Sequence, residues 1–500
     1  MLQFWRNPEL VRHVRAEMRP ARALTVGMTT VVVCVLVGLM CWSSAEGKPQ
    51  PFFQTFYAWL TGLQYVVLGF WCASTCGQAI AREREMKTYD FLRTTRLSSA
   101  ELMVGKLLGA PILGYFIVAC SLPVTFIVGA LGGFRVLVLL ENWVLLLAFS
   151  LFVGLMGLWG SMLVEKSSYG AMGILGLAIS TSMFPYVQSP FPGFAGFSVL
   201  PAVLSLHSAN NWLTKTPATL FGLQVPFLVV SLLLFVTFGA WLALMLTRNL
   251  KKDLQQLSLL SRWQAVGLGA YCNLLFYALL NPESLYAKPT WQGMTPDELT
   301  RLAVGFNLPV LLLVGLATLT PYEKLKVWWR QRSVGEGSYF SPQGLPWPWL
   351  LPTAALAYAF LVAEAAGLRA SIPFRAWPLG SAAIQLLTLL VFTTRDILFL
   401  QWCNLTRMKK PIIKGILFLL LYVAAVGITG VVVEIVKPSA EGFVFGLTPY
   451  YALTVSDLSW HTAAGVYFGL ALQVPIIALL LHFISGRLSR PALIPVVATA

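Results

Sequence analysis

The residues most able to support chemistry are concentrated in one charged segment, residues 81–108, which lies between two long apolar stretches. The chain as a whole is only 11% charged. Such a density of charge is excluded from hydrocarbon, so the segment is predicted to face water, where a partner protein can reach it. Its charged residues are Arg82, Arg84, Lys87, Arg93, Arg96 and Lys106, with Glu83, Glu85, Asp90 and Glu101.

These charges do not form a recognisable catalytic site. The sequence has no G-x-x-x-x-G-K-[ST] phosphate-binding loop, because Gly105-Lys106 lacks the upstream glycine and is followed by Leu107. The four histidines are scattered and lack the spacing of metal ligands. We therefore predict that the chain is not an enzyme and holds neither a metal nor a cofactor of its own.

Two other carboxylates, Glu364 and Glu434, lie near the ends of apolar stretches. An acid inside a membrane is a candidate functional group by default. Because Arg369 and Lys437 follow closely in the sequence, we predict interfacial ion pairs instead. The seven cysteines are predicted to be buried thiols, since they lie in or beside apolar stretches.

The composition indicates what must position the charged segment. Hydrophobic residues make up 57% of the chain and the mean hydropathy is +0.73, values typical of a polytopic membrane protein. The net charge of +15 comes from short basic clusters between apolar stretches and not from one basic domain. This distribution favours a lipid bilayer over nucleic acid as the partner of the positive charge.

The sequence predicts an all-α polytopic membrane protein with about twelve transmembrane helices. A span needs about 20 apolar residues. The pair at 142–164 and 169–187 is joined by only four residues and is predicted to form a tight helical hairpin. The predicted spans are 23–43, 55–80, 106–130, 142–164, 169–187, 223–246, 263–281, 302–320, 348–366, 377–394, 412–436 and 463–485.

Before the first span, the N-terminal residues predict an amphipathic helix. Asn7-Pro8-Glu9 provides a capping residue, a proline at the first position and an acid in the first turn. Apolar and basic residues then fall on different faces, so we predict that this helix lies on the membrane surface with Phe4 and Trp5 as interfacial anchors. The alternative is a solvated basic N-terminus.

The distribution of Lys and Arg predicts the orientation. If the N-terminus is inside, 27 of the 35 basic residues fall in cytoplasmic segments, as the positive-inside rule requires. The charged segment and both termini are therefore predicted to be cytoplasmic, in a plasma membrane that would be the inner membrane of a bacterium.

A second segment, 394–414, resembles the first and suggests a degenerate internal repeat. It also begins with charge, in Arg395-Asp396, and ends in Lys414-Gly415 before a span. We predict a first repeat at 1–250 with six spans and a loop at 81–105. An inserted pair of spans at 251–320 precedes a shortened second repeat of four spans at 321–500, with its loop at 394–414.

The first loop resembles the permease subunit of ABC-2-type (type V exporter) ABC transporters. An amphipathic helix and two spans precede a loop of the form Arg-Glu-x-Glu-x-x-Thr-x-x-x-Leu-x-Thr-Thr-x-Leu-Ser, followed by Gly-Lys-Leu. Lys87 and Leu97 stand where the family commonly has glycine and proline. The matching residues are Arg82, Glu83, Glu85, Thr88, Leu92, Thr94, Thr95, Leu97, Ser98, Gly105, Lys106 and Leu107.

The resemblance implies that the loop docks on an ATP-hydrolysing domain. Apolar side chains would fit a groove of that domain and charges would fix the register. The alternative is that these charges pair with one another or with lipid phosphates. The residues assigned to docking are Arg82, Glu83, Glu85, Thr88, Tyr89, Phe91, Leu92, Arg93, Thr94 and Arg96, with Arg395, Asp396, Leu398 and Arg407 in the second loop.

The function implied is that of a membrane-spanning permease subunit of an ATP-driven exporter. Its partner would be a separate ATPase subunit, acting as a dimer and holding the ATP and Mg²⁺. If both loops dock, one chain serves the dimer, and otherwise a second permease copy is needed. The alternatives are a secondary transporter, which needs polar or ionic sites in mid-membrane, and a membrane scaffold that does not transport.

Overall fold

The fold is nearly all helical in the computed structural model. It is described over residues 7–44, 48–163, 217–252, 259–280, 295–336, 338–368, 377–406, 411–436, 441–454 and 463–489. Within these ranges, ten helices are long and apolar enough to cross a bilayer. The described part of the chain also contains one antiparallel hairpin, β1 (Pro217–Leu220) with β2 (Leu223–Pro226). The predicted all-α class and the presence of many candidate spans are therefore confirmed.

The first of two compact units comprises residues 1–254 with 278–284. Its longest helix packs against two others partly through small and polar residues: a Cβ on Gly157 would lie 2.9 Å from the backbone nitrogen of Gly77, and Gln64 Nε2 donates to Ser121 Oγ at 2.8 Å. Small residues of this kind let apolar helices approach closely. The helices are α1 (Pro8–Glu17), α2 (Pro20–Ser44), α3 (Pro49–Glu85), α4 (Tyr89–Thr94), α5 (Ser99–Gly109), α6 (Ile112–Leu131), α7 (Val136–Leu163) and α8 (Phe227–Asn249).

The second unit comprises residues 255–277 with 285–500. The helices of this unit are α9 (Arg262–Ala278), α10 (Pro296–Ala317), α11 (Tyr322–Ser333), α12 (Leu350–Ala363), α13 (Leu379–Asn404), α14 (Pro411–Val436), α15 (Glu441–Phe445), α16 (Tyr451–Thr454) and α17 (Ala464–Ser489). The helix α11 packs Leu325 and Trp328 against the C-terminal parts of α13 and α17, where Leu398 and Ile484 are buried.

Several predicted spans have different limits in the structure. The span predicted at 106–130 is divided into α5 and α6 at Pro111, which has no N–H to donate within a continuous helix. The span at 223–246 begins as strand β2 and becomes helical only after Pro226. Residues 263–281 correspond to α9, whose 17 residues span about 26 Å. The predicted span at 169–187 lies outside the described residues.

The helix α13 differs most from its prediction. It was expected to end at residue 394, but it continues to Asn404. The reason is that Ile397, Leu398 and Leu400 extend the apolar pattern and nothing before Leu405 interrupts the helix. The prediction of a loop starting at 394 is therefore wrong for its first eleven residues, which are helical.

Candidate functional site

The first predicted loop, residues 81–105, consists of the end of α3, the short helix α4 and the first part of α5. The turn after α3 is closed by two backbone hydrogen bonds, from Thr88 N–H to Glu83 O at 2.9 Å and from Lys87 N–H to Arg84 O at 3.0 Å. Lys87 has φ of 57°, the left-handed conformation that glycine usually supplies at this position of a helix end. Lys87 therefore holds a backbone conformation that glycine would adopt with less strain.

The start of α5 was missed by the sequence interpretation, which expected a helix to begin near Gly105. Ser98 caps α5: Glu101 N–H donates to Ser98 Oγ at 3.2 Å, and Ser98 N–H donates to Glu101 Oε2 at 2.8 Å. The hydrogen bond from the Ser98 backbone lowers the pKa of the exposed Glu101 carboxyl. The Ser-x-x-Glu spacing of a capping box was the signal that could have placed this helix start.

Four charged side chains from three helices meet beneath the loop, and we call Glu9, Arg12, Glu83 and Lys106 the charged cluster. Lys106, 1% exposed, donates to Glu83 Oε1 at 2.6 Å and to Glu9 Oε1 at 3.0 Å. Arg12 Nη2 donates to the same two oxygens at 3.0 and 2.7 Å. The cluster therefore ties α1 to both α3 and α5 with two cations and two carboxylates.

The electrostatics of the charged cluster favour the ionised form of Glu9. Burial acts to raise the pKa of this carboxyl, but the contact with His13 and the charges of Lys106 and Arg12 outweigh burial. The resulting pKa is about 2, below the ordinary value of 4.5. Glu9 is therefore a carboxylate throughout the neutral range and is a permanent partner of Lys106.

Close packing of α1 on α5 depends on two glycines. A Cβ on Gly105 would lie 2.8 Å from Glu9 Cβ and 2.9 Å from the side-chain oxygen of Asn7. A Cβ on Gly109 would lie 2.9 Å from a ring carbon of His13. The Asn7 side chain also caps α1, as predicted, and donates to the Glu101 carbonyl at 2.7 Å. The Gly105-Lys106 pair thus provides the clearance and the charge that hold α1 in place.

The helix α4 is attached to the end of α8. Tyr89 Oη donates to the Leu250 carbonyl at 2.5 Å, and Arg93 Nε donates to the Lys251 carbonyl at 3.0 Å. In return, Lys251 Nζ donates to the Thr95 carbonyl at 3.0 Å. A displacement of α4 would therefore be transmitted to α8 through three direct hydrogen bonds.

The outer face of the first loop carries exposed apolar residues beside charges. Phe91 is 74% exposed and Met86 is 56% exposed, and the Asp90 side chain is also exposed. Of the residues assigned to docking, Arg82, Glu85, Thr88, Phe91, Thr94 and Arg96 are exposed and Arg93 is half-buried. Three other residues assigned to docking, Glu83, Tyr89 and Leu92, are buried within the chain.

The residues assigned to the second loop lie elsewhere than predicted. Arg395, Asp396 and Leu398 are part of α13, and Arg407 lies outside the described residues. Leu398 is fully buried and Arg395 is 7% exposed, so neither is placed to dock on a soluble protein. Instead, Arg395 and Asp396 form an ion pair inside a candidate span, with Nη2 and Oδ1 2.6 Å apart.

Two further predictions concern carboxylates and metals. Glu364 is buried, while its predicted partner Arg369 and the predicted partner of Glu434, Lys437, lie outside the described residues. Within the ranges that the structure describes, no group of histidine, cysteine, aspartate and glutamate side chains is arranged to hold a metal ion.

Comparisons with protein-family models, curated proteins and solved structures found no match to this chain. The described residues contain ten helices that could cross a membrane, and a charged loop connects the end of α3 to α5 and contacts the end of α8.

Proposed function

We propose that the chain is the membrane-spanning permease subunit of an ATP-driven exporter of the ABC-2 type. ATP would be bound and hydrolysed, with Mg²⁺, by a separate ATPase subunit that acts as a dimer. The site of contact is the outer face of the first loop, centred on Phe91. The membrane is the plasma membrane, which is the inner membrane in a bacterium, and the loop lies on its cytoplasmic side.

The observation that carries this proposal is the way in which α4 is held. Its inner face is hydrogen-bonded to the end of α8 through Tyr89 and Arg93, while Phe91 and Asp90 project outward. A partner bound to the outer face of α4 can therefore displace α8 while the loop stays folded. An exposed aromatic side chain flanked by charges is also suited to a groove on a folded protein.

The charged cluster supports the same role in a second way. Glu83 and Lys106 connect the two ends of the loop to α1, so the loop, α1 and α3 share one set of ion pairs. Because these ion pairs connect the loop to α1 and α3, a displacement of α4 would also displace these helices.

The described residues contain one loop of this kind, which favours two permease copies for each ATPase dimer. The second segment offers Arg395, Asp396 and Leu398 within a helix and not on a loop. Two equivalent contacts on the dimer then require two chains, and a homodimer is the simplest arrangement.

A secondary transporter is the second candidate, and the ion pair inside α13 is the observation in its favour. An intramembrane carboxylate is a common site for coupling ions. Here, however, Asp396 accepts two hydrogen bonds from the neighbouring Arg395, at 2.8 and 2.6 Å. Protonating Asp396 would leave the buried guanidinium without a counterion, which makes this pair a poor carrier of protons.

The test is affinity purification of the tagged full chain from its own cells, followed by identification of co-purifying ATPases and measurement of ATP hydrolysis. We expect an ABC ATPase to be recovered with the wild-type chain. Phe91→Arg should reduce this recovery at least tenfold, because the substitution places a charge in an apolar contact and touches no buried group.

Val334→Arg is the matched control, because Val334 is also an exposed apolar residue, 75% exposed, and lies in the second unit. It should leave recovery unchanged. Recovery of no ATPase with the wild-type chain would support a scaffold or a secondary transporter, and equal recovery with Phe91→Arg and Val334→Arg would rule out the proposed docking face.

A further inference from the structure

The guanidinium of Arg395 is the centre of a polar cluster inside the second unit. Nε and Nη2 of Arg395 donate to Asp396, and Nη1 donates to Gln473 Oε1 at 3.0 Å and to Tyr422 Oη at 3.3 Å. The guanidinium also lies 5.0 Å from the centre of the Phe392 ring and 4.9 Å from that of Tyr422. Three helices, α13, α14 and α17, are thus joined at one side chain.

Tyr422 extends this cluster to a fourth element. Its hydroxyl accepts from Arg395 and donates to the Leu447 carbonyl at 2.8 Å. Leu447 lies between α15 and α16, in residues 441–454, which we call the hairpin segment. The contact with Tyr422 lies about 20 Å along α14 from the end of that helix at Val436, so the hairpin segment reaches well along the helix.

The hairpin segment fits against α17 through glycines. Gly442 and Gly446 of the segment face Gly465 and Gly469 of α17, and a Cβ on Gly446, Gly465 or Gly469 would overlap the backbone of a facing glycine. A Cβ on Gly442 would instead meet the Tyr451 hydroxyl. On its other side, the Phe445 ring lies against Gly430 of α14. The segment is therefore wedged between α14 and α17.

In contrast, most side chains of α14 are exposed. Only 11% of an 18-residue window in its apolar stretch, Lys414–Val436, is buried. Its buried positions include Val426, one turn from Tyr422, together with the glycines that face α13 and the hairpin segment. The polar contacts of Tyr422 add to this packing and join α14 to both α13 and the hairpin segment.

We propose that the polar cluster of Arg395, Asp396, Gln473 and Tyr422 is a latch. When Tyr422 leaves Arg395, the side of the second unit formed by α14 and the hairpin segment opens. The moving parts are α14 and the hairpin segment. The release is feasible because Arg395 keeps its ion pair with Asp396 and its hydrogen bond with Gln473, so that no charge is left without a partner. This proposal does not depend on an ATPase partner or on the direction of transport.

The experiment is hydrogen–deuterium exchange followed by mass spectrometry on the full chain in lipid nanodiscs. Tyr422→Phe removes only the hydroxyl that links Arg395 to Leu447. Exchange in peptides from residues 441–454 should become about fivefold faster, the factor expected for one lost hydrogen bond of ordinary strength. Tyr422→Leu, which also removes the ring from the guanidinium, should give a larger increase in the same peptides.

Tyr450→Phe is the matched control, because Tyr450 lies in the same segment and its side chain is 52% exposed. It should leave exchange unchanged. Peptides from α4 and α5 in the first unit provide an internal reference and should not change in any variant. Equal exchange of residues 441–454 in the Tyr422→Phe and Tyr450→Phe chains would overturn the latch, and so would a uniform increase across the whole second unit.

Discussion

The charged residues of the first loop divide between two tasks. Glu83 and Lys106 point inward and hold α1, α3 and α5 together, whereas Asp90 and Arg96 point outward. Glu9, Glu83 and Lys106 are buried while Arg12 is exposed, and removing one of the three buried groups would leave the charge of the others buried without full compensation. The inward charges therefore fix the geometry on which an outward contact can act.

Lys87 offers a test of backbone strain at a single residue. A residue with a side chain costs about 1 kcal/mol relative to glycine at φ of 57°. The Lys87 side chain makes no hydrogen bond to the described residues that would offset this cost. Lys87→Gly should therefore raise the unfolding temperature of the purified chain. Lys87→Ala is the control, because it removes the same side chain but keeps the strain. If alanine stabilises the chain as much as glycine does, the turn is not strained at this position.

Glu9 predicts a dependence of stability on pH. Its pKa is held at about 2 in the folded chain against an ordinary value of 4.5, so its contribution is complete above pH 4.5 and is lost as the pH falls towards 2. The unfolding temperature of Glu9→Gln should be lower than that of the wild type at neutral pH. The gap should shrink across this acidic range. A gap that stays constant from pH 5 to about pH 2 would contradict the assignment.

Sequence reasoning identified some of these residues and missed the partners of others. Asn7 was placed correctly as a helix cap, because a capping residue and its helix are neighbours in the chain. Glu83 was assigned to docking, but its cation comes from Lys106 on another helix and from Arg12, far away in sequence. Ion pairs of this kind form only when the helices pack together. The sequence around a loop with charges of both signs therefore does not show which of those charges face inward.

At the scale of elements, the contact between α1 and α5 explains the Gly-Lys pair in the loop motif. Gly105 lets the helices touch and the next residue supplies a buried cation. The polar side of α1, with Glu9 and His13, therefore packs on the loop helix. An amphipathic helix that would otherwise lie loosely on the membrane surface gains a defined position on the protein.

Filling the space at Gly105 should separate these two helices. Gly105→Ala would place a methyl group 2.8 Å from Glu9 Cβ, and overpacking of this kind typically costs about 1–3 kcal/mol. The unfolding temperature should fall, and limited proteolysis should cut between α1 and α2 more readily. Gly427→Ala is the control, since a Cβ there meets nothing within 4 Å. If the two variants have the same unfolding temperature and the same rate of cleavage between α1 and α2, the position of α1 does not depend on this contact.

Most of the helices could be predicted because a membrane-spanning helix needs a long apolar stretch and little else. Their ends were harder to place, since Asn404 ends α13 well beyond the residue at which charge appears. Arg395 and Asp396 neutralise each other, so a helix can continue through them inside a candidate span. The sequence shows both charges, but only the packed structure shows that Gln473 and Tyr422 are there to receive the guanidinium.

At the scale of the whole molecule, the bias of basic residues and the position of the first loop can be tested together. The helix α3 runs from Pro49 to Glu85 with the exposed Lys48 before it and Phe91 shortly after it. If α3 crosses the membrane, these two residues lie on opposite sides. The positive-inside rule predicts that Phe91 lies in the cytoplasm, because the six basic residues of the charged segment adjoin it.

Cysteine labelling in intact cells decides this orientation. In a chain whose seven native cysteines are replaced by alanine, Lys48→Cys should react with a maleimide that cannot cross the membrane, and Phe91→Cys should react only after the cells are opened. Reporter fusions to the two ends of the chain should both be active in the cytoplasm, since an even number of crossings returns the chain to the side where it began. Labelling of Phe91→Cys in intact cells would show that Phe91 lies outside the cell. The proposed docking face would then be out of reach of a cytoplasmic ATPase. Fusions active on opposite sides of the membrane would instead require an odd number of spans. The error would then lie among the predicted spans that are not among the ten candidate spans of the described residues.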